Sequence, residues 1–94
     1  MNKSKIIRSY EPFNLICNKI KFDENLISDA KHLLLNCLFN SEKVVIYIEN
    51  EYKNTGLSLK KGRLAKKNII NAGYLIEKKL RGGMSYIFYE QPIQ

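Results

Sequence analysis

The sequence predicts an α+β fold, a three-helix core followed by a C-terminal β-hairpin, on three observations. Apolar residues between Ala30 and Leu38 recur at a helical period. A glycine turn at Thr55–Ser58 separates a short helical run from a long basic one. After Gly73 the period changes from helical to alternating, with Gly82-Gly83 between two strand-like runs. Ninety-four residues and 11.0 kDa suit one hydrophobic core and no second domain. The balance of 45% hydrophobic and 27% charged residues is that of a globular chain, not a disordered tail.

Residues 1–12 read as a flexible basic segment, and residues 13–91 as the folded domain. After Pro12, the stretch Phe13–Ile20 is compatible with a short helix or an extended segment, because its pattern fits either. Ala30, Leu33, Leu34, Cys37 and Leu38 then form one helical stripe, with Ser28 as the expected N-cap and Asn40-Ser41 as the stop. Val44–Ile48 is β-branched and aromatic, which predicts a short strand. Glu49–Asn54 reads as a short helix of thin apolar content. Gly56 ends it in the left-handed conformation, and Ser58 caps a third helix over Leu59–Ala72, stopped by Gly73. Residues 74–79 and 85–89 are the two strands of the hairpin.

Charge is unevenly distributed. Residues 1–57 carry eight basic and seven acidic groups, whereas residues 58–94 carry eight and two. The formal charge of +7 therefore sits almost wholly in residues 58–94, as a localised polyanion-binding face would require.

Several function classes are disfavoured. No nucleophile–base motif, phosphate-cradling glycine loop or metal-ligand cluster is visible, so neither an enzyme nor a cofactor or metal protein is expected, and no small-molecule ligand is evident. Cys17 and Cys37 read as reduced thiols, and His32 as a packed or half-exposed side chain. No apolar run is long enough to span a membrane or serve as a signal peptide; the expected location is cytoplasmic.

Thr55-Gly56-Leu57-Ser58, followed by a basic helix ending in Asn71-Ala72-Gly73-Tyr74-Leu75, resembles the winged helix-turn-helix family. Its members commonly show a T-G-[LV]-S turn and an A-G-Y-[LI] exit into the wing. The run from Lys21 to Leu35 (KFDENLISDAKHLLL) is similar to helix-turn-helix domains of phage and plasmid replication and regulatory proteins. The resemblance spans roughly residues 13–90. It implies duplex DNA as partner, with the third helix in the major groove and the hairpin as wing, in a regulator of transcription or replication on a mobile element. The chain departs from the pattern at Glu51 and Tyr52 in the second helix, where the family usually carries an apolar residue and a small one, and at Gly62 and Lys66 in the third, where it usually buries aliphatic side chains. Gly62, Ala65, Ile69 and Ala72 still share a face.

The DNA-contacting set expected on this basis is Ser58, Lys60, Lys61, Arg63 and Lys67 of the third helix, with Lys78, Lys79 and Arg81 of the wing. Arg63 suits bidentate contact with guanine, because its guanidinium fork matches two adjacent acceptors. Lys67 suits a flanking phosphate, and Asn68 is expected to be exposed. Lys78 and Lys79 fall on opposite faces of their strand, so one of the two should face the DNA. Tyr74, Tyr86, Phe88 and Tyr89 read as hairpin core. A homodimer reading two half-sites would suit regulation, although no long helix is available to build one. The rival reading is a winged-helix interaction module docking an acidic partner.

Overall fold

The computed structural model of the protein describes residues 2–40 and 45–93. Among these, four helices and a three-stranded sheet pack around one core: β1 (Lys3–Ile7), α1 (Phe13–Lys21), α2 (Ser28–Leu38), α3 (Ile48–Asn54), α4 (Leu59–Asn71), β2 (Leu75–Leu80) and β3 (Gly83–Tyr89). The fold is α+β. The sheet order is β1-β3-β2, with β3 parallel to β1 and antiparallel to β2.

The N-terminal segment, expected to be loosely held, contributes β1. Ile6 is buried opposite Phe88, and Arg8 is anchored beyond the strand. The Arg8 guanidinium donates to the Leu38 and Asn40 carbonyls at the end of α2, at 3.0 and 3.1 Å, and pairs with buried Glu90 at 2.9 Å. The Leu38 carbonyl is among the last of the helix and has no intrahelical partner among the described residues, so one cation closes the helix end and neutralises a buried carboxylate. Glu90 also accepts from the Ser9 amide at 2.8 Å. A basic composition hid this role, because composition does not show that the Arg8 side chain turns onto the end of α2 and Glu90.

The ambiguous stretch after Pro12 is helical. Ile16 and Ile20, one turn apart, are fully buried, and Phe13 stacks edge-on to Phe39 with centroids 4.8 Å apart. Helix α2 buries the five residues of its expected stripe. Its N-cap is Ile27 and not Ser28, and no side chain of its own caps it. Asn68 of α4 does part of that work: its Oδ1 accepts from the Ile27 amide at 2.8 Å, and its Nδ2 donates to the Asn25 carbonyl at 2.9 Å. Asn68 is therefore half-buried and engaged, where an exposed side chain was expected.

The strand expected over Val44–Ile48 does not form over its described part. Residues 45–47 are irregular and Ile48 already opens α3; Val44, like the Ser41 of the expected helix stop, lies outside the described residues. Ile46 is buried, but its amide donates to the Ser4 hydroxyl at 3.0 Å rather than to a strand ladder. The place beside β3 belongs to β1, so the described part of this β-prone run supplies apolar surface without joining the sheet.

Both helix-ending glycines behave as expected. Gly56 (φ 73°) follows α3, with the Leu57 amide bonded to the Tyr52 carbonyl at 2.8 Å and the Gly56 amide to the Lys53 carbonyl at 3.1 Å. The same pair of bonds recurs at Gly73 (φ 91°), from the Tyr74 amide to the Ile69 carbonyl and from the Gly73 amide to the Ile70 carbonyl, both at 3.1 Å. These are Schellman closures, which require the left-handed conformation at the glycine. Ser58 caps α4, its Oγ accepting from the Lys61 amide at 3.2 Å.

Candidate nucleic-acid interface

Helix α4 has two unlike faces. Gly62, Ala65 and Ile69 are buried against the core, whereas Lys60, Lys61, Arg63, Leu64 and Lys67 are exposed. Gly62 and Ala65 make part of the buried face small, which permits close approach of the neighbouring helices there, while Ile69 fills the core. Gly62 lies against the Tyr52 ring of α3, where a Cβ would overlap the ring carbons. The two departures at Tyr52 and Gly62 are thus one packing solution, an aromatic ring taking the volume of an absent side chain.

The departure at Lys66 is also structural. Its ammonium meets Glu77 of β2 at 2.8 Å, with both side chains largely shielded from solvent. This pair ties α4 to the hairpin. Among the described residues, the side chains of Lys60, Lys61, Arg63 and Lys67 make no ion pair or hydrogen bond. The first turn of α4 contains no acidic residue. Lys60 and Lys61 therefore sit at the positive end of the helix dipole, where cations are destabilising and anions are favoured.

The sheet register divides the hairpin cations. Glu77 faces α4, and alternation puts Leu75 and Lys79 on the same side, opposite Phe88 and Met84. Lys79 is accordingly the strand lysine on the α4 side. Lys78 points to the other face, in the same cross-strand row as Ser85 and Lys3. Arg81 is exposed at the two-residue turn between Leu80 and Gly83, where Gly82 takes φ 83°. The expected set thus divides three ways. Lys60, Lys61, Arg63, Lys67 and Lys79 lie on α4 or on the hairpin face that meets it, and Arg81 stands at the tip. Lys78 faces away, and the Ser58 oxygen is engaged in capping.

A cleft of about 390 Å³ lies between α3, α4 and the hairpin, with Glu49, Arg63, Lys66 and Glu77 as its charged lining and the Tyr52 and Tyr86 rings as part of its wall. Burial pushes the Tyr52 phenol up to about 12; Tyr86, Glu77 and Glu49 add to the rise and Arg63 opposes it. Burial, with Glu77 and Glu49, raises Tyr86 likewise. These phenols stay neutral near pH 7. Among the described residues no group of three or more His, Cys, Asp or Glu side chains is placed to hold a metal ion, and no helix is long and apolar enough to cross a membrane. Cys17 and Cys37 are free thiols; burial, then the charge of Glu51, drives the Cys37 pKa up, which makes that thiol inert.

Sequence reasoning passed over Leu59 and Leu64, which are 46% and 57% exposed amid the α4 cations. The signal was present, since both fall off the stripe of Gly62, Ala65, Ile69 and Ala72. It also passed over Lys3 and Lys5, which the parallel pairing of β1 brings to the outer sheet face with Lys78. No protein-family model, curated protein or solved structure matches the chain.

Proposed function

We propose that the protein is a winged helix-turn-helix that binds duplex DNA, with α4 in the major groove and the β2–β3 hairpin as the wing. The observation that carries this reading is the partition of the α4 cations. Lys66 is consumed by Glu77, while the exposed side chains of Lys60, Lys61, Arg63 and Lys67 make no ion pair or hydrogen bond among the described residues. A cationic surface that opposes its own helix dipole costs stability, and a bound polyanion recovers that cost. The α3–turn–α4 unit, closed at Gly56 and capped by Ser58, supplies the rigid entry that a groove-reading helix needs.

By its resemblance to phage and plasmid proteins, the chain would act as a small regulator of transcription or replication, and two copies on adjacent half-sites would give it a site of adequate length. The departures at Tyr52, Gly62 and Lys66 have internal explanations, in the packing of the Tyr52 ring against Gly62 and in the Lys66–Glu77 pair, and so do not call for a docked protein. Charge reversal at Arg63 tests the reading. Arg63→Glu should lower affinity for duplex DNA at least tenfold with unchanged circular dichroism, and unlabelled duplex should compete better than single strands of the same sequence. Retained affinity in the variant, or better competition by single strands or duplex RNA, would refute it.

A further inference from the structure

Neutral hydrogen-bonding side chains are scarce on the outer face of α4. The Ser58 oxygen is occupied by the Lys61 amide, and both ends of the Asn68 amide are spent on Ile27 and Asn25. Asn71 is exposed but stands at the last residue of the helix, away from the N-terminal half. In the middle of this face stands Leu64, with Lys60 and Lys67 one turn to either side. With Leu59 and Arg63 these residues line one open hollow of about 520 Å³. An apolar side chain more than half exposed within a ring of cations has no packing role in the chain itself. Its surroundings suit a surface that is polyanionic at the rim and apolar at the centre.

The major groove meets that description: phosphates flank it, and the C5-methyl groups of thymine are its apolar features. We infer that Leu64 is a specificity-determining residue that selects thymine by contact with its methyl group, beside the position read by Arg63. The inference rests on the proposed DNA reading and adds a base preference to it. Its chemistry also separates it from phosphate contact, because Leu64 contributes nothing to counterion release.

The test uses the full chain and a duplex selected from a randomised pool. Each thymine of that duplex is replaced in turn by deoxyuridine, which removes one methyl and leaves the hydrogen-bonding pattern intact. Affinity should fall about fourfold at one or two positions, the value of one buried methyl. Leu64→Ala, at a site outside the core, should bind thymine and uridine duplexes equally, so that the two losses are not additive. Uridine tolerated everywhere within about twofold would overturn the inference while leaving duplex binding in place; a thymine–uridine ratio unchanged in Leu64→Ala would do the same. If Leu64 instead covers a second copy, Leu64→Ala would lower the sedimenting mass and leave that ratio intact, which also overturns it. Absence of any duplex binding would overturn this inference and the DNA reading together.

Discussion

Gly62 of α4 and Tyr52 of α3 occupy one volume between them: the tyrosine ring lies where a side chain on residue 62 would begin. In an exposed helix interior, Gly→Ala gains about 1 kcal/mol. Here Gly62→Ala should lose stability, by about 1–3 kcal/mol, because the added methyl forces the buried ring aside. For a domain of this size the unfolding temperature should fall by about 4–8 °C per kcal/mol. Adding Tyr52→Ala should make the loss less than additive. Thermal unfolding of the three variants checks this, and a more stable Gly62→Ala would contradict the packing described.

Two neighbouring lysines should behave oppositely. Lys66→Met removes the partner of half-buried Glu77 and should cost about 1 kcal/mol of stability, with little change in the salt dependence of DNA binding. Lys67→Ala should leave stability within about 0.5 kcal/mol and reduce the log–log salt slope by about 0.9. Denaturant unfolding and binding titrations on both variants separate the roles.

The turn-and-cap grammar was legible because it is local. Gly56, Ser58 and Gly73 each act within a few residues, and each sits where its chemistry placed it. The α2 stripe and the buried hairpin aromatics Tyr74, Tyr86 and Phe88 were legible for the same reason, since periodicity reports the face directly. What escaped was set by partners distant in sequence. β1 is specified by its pairing with β3, some eighty residues away; the irregular 45–47 run by the prior claim of β1 on that sheet edge; and Asn68 by a loop amide forty-one residues before it. Within the site, composition found the cations but could not separate Lys66 from Lys67, or Lys78 from Lys79. That separation depends on the packing of α4 against β2.

Stability should depend on pH at the alkaline end. Burial raises the folded-state pKa of Tyr52 to about 12 and also raises Tyr74, whose hydroxyl donates to Asp23 at 2.5 Å, and Tyr86. A raised phenol favours the folded state fully below the ordinary value of about 10, and that contribution is lost as pH rises through the folded-state value. Unfolding free energy should therefore decline from pH about 10 upward, and the tyrosinate absorbance of these residues should rise together with loss of helix. Full ionisation at pH about 10 with the helical signal intact would contradict the burial of these rings.

The most direct measurement of the central claim is fluorescence anisotropy of a randomised duplex of about 25 base pairs, titrated with the full chain at several salt concentrations. If Lys60, Lys61, Arg63, Lys67 and Lys79 neutralise phosphates, the log–log slope should be roughly −4.5. Affinity should then fall several-hundred-fold between about 50 and 200 mM salt. No binding at low salt, or binding with a slope near zero, would contradict the assignment of this face to DNA.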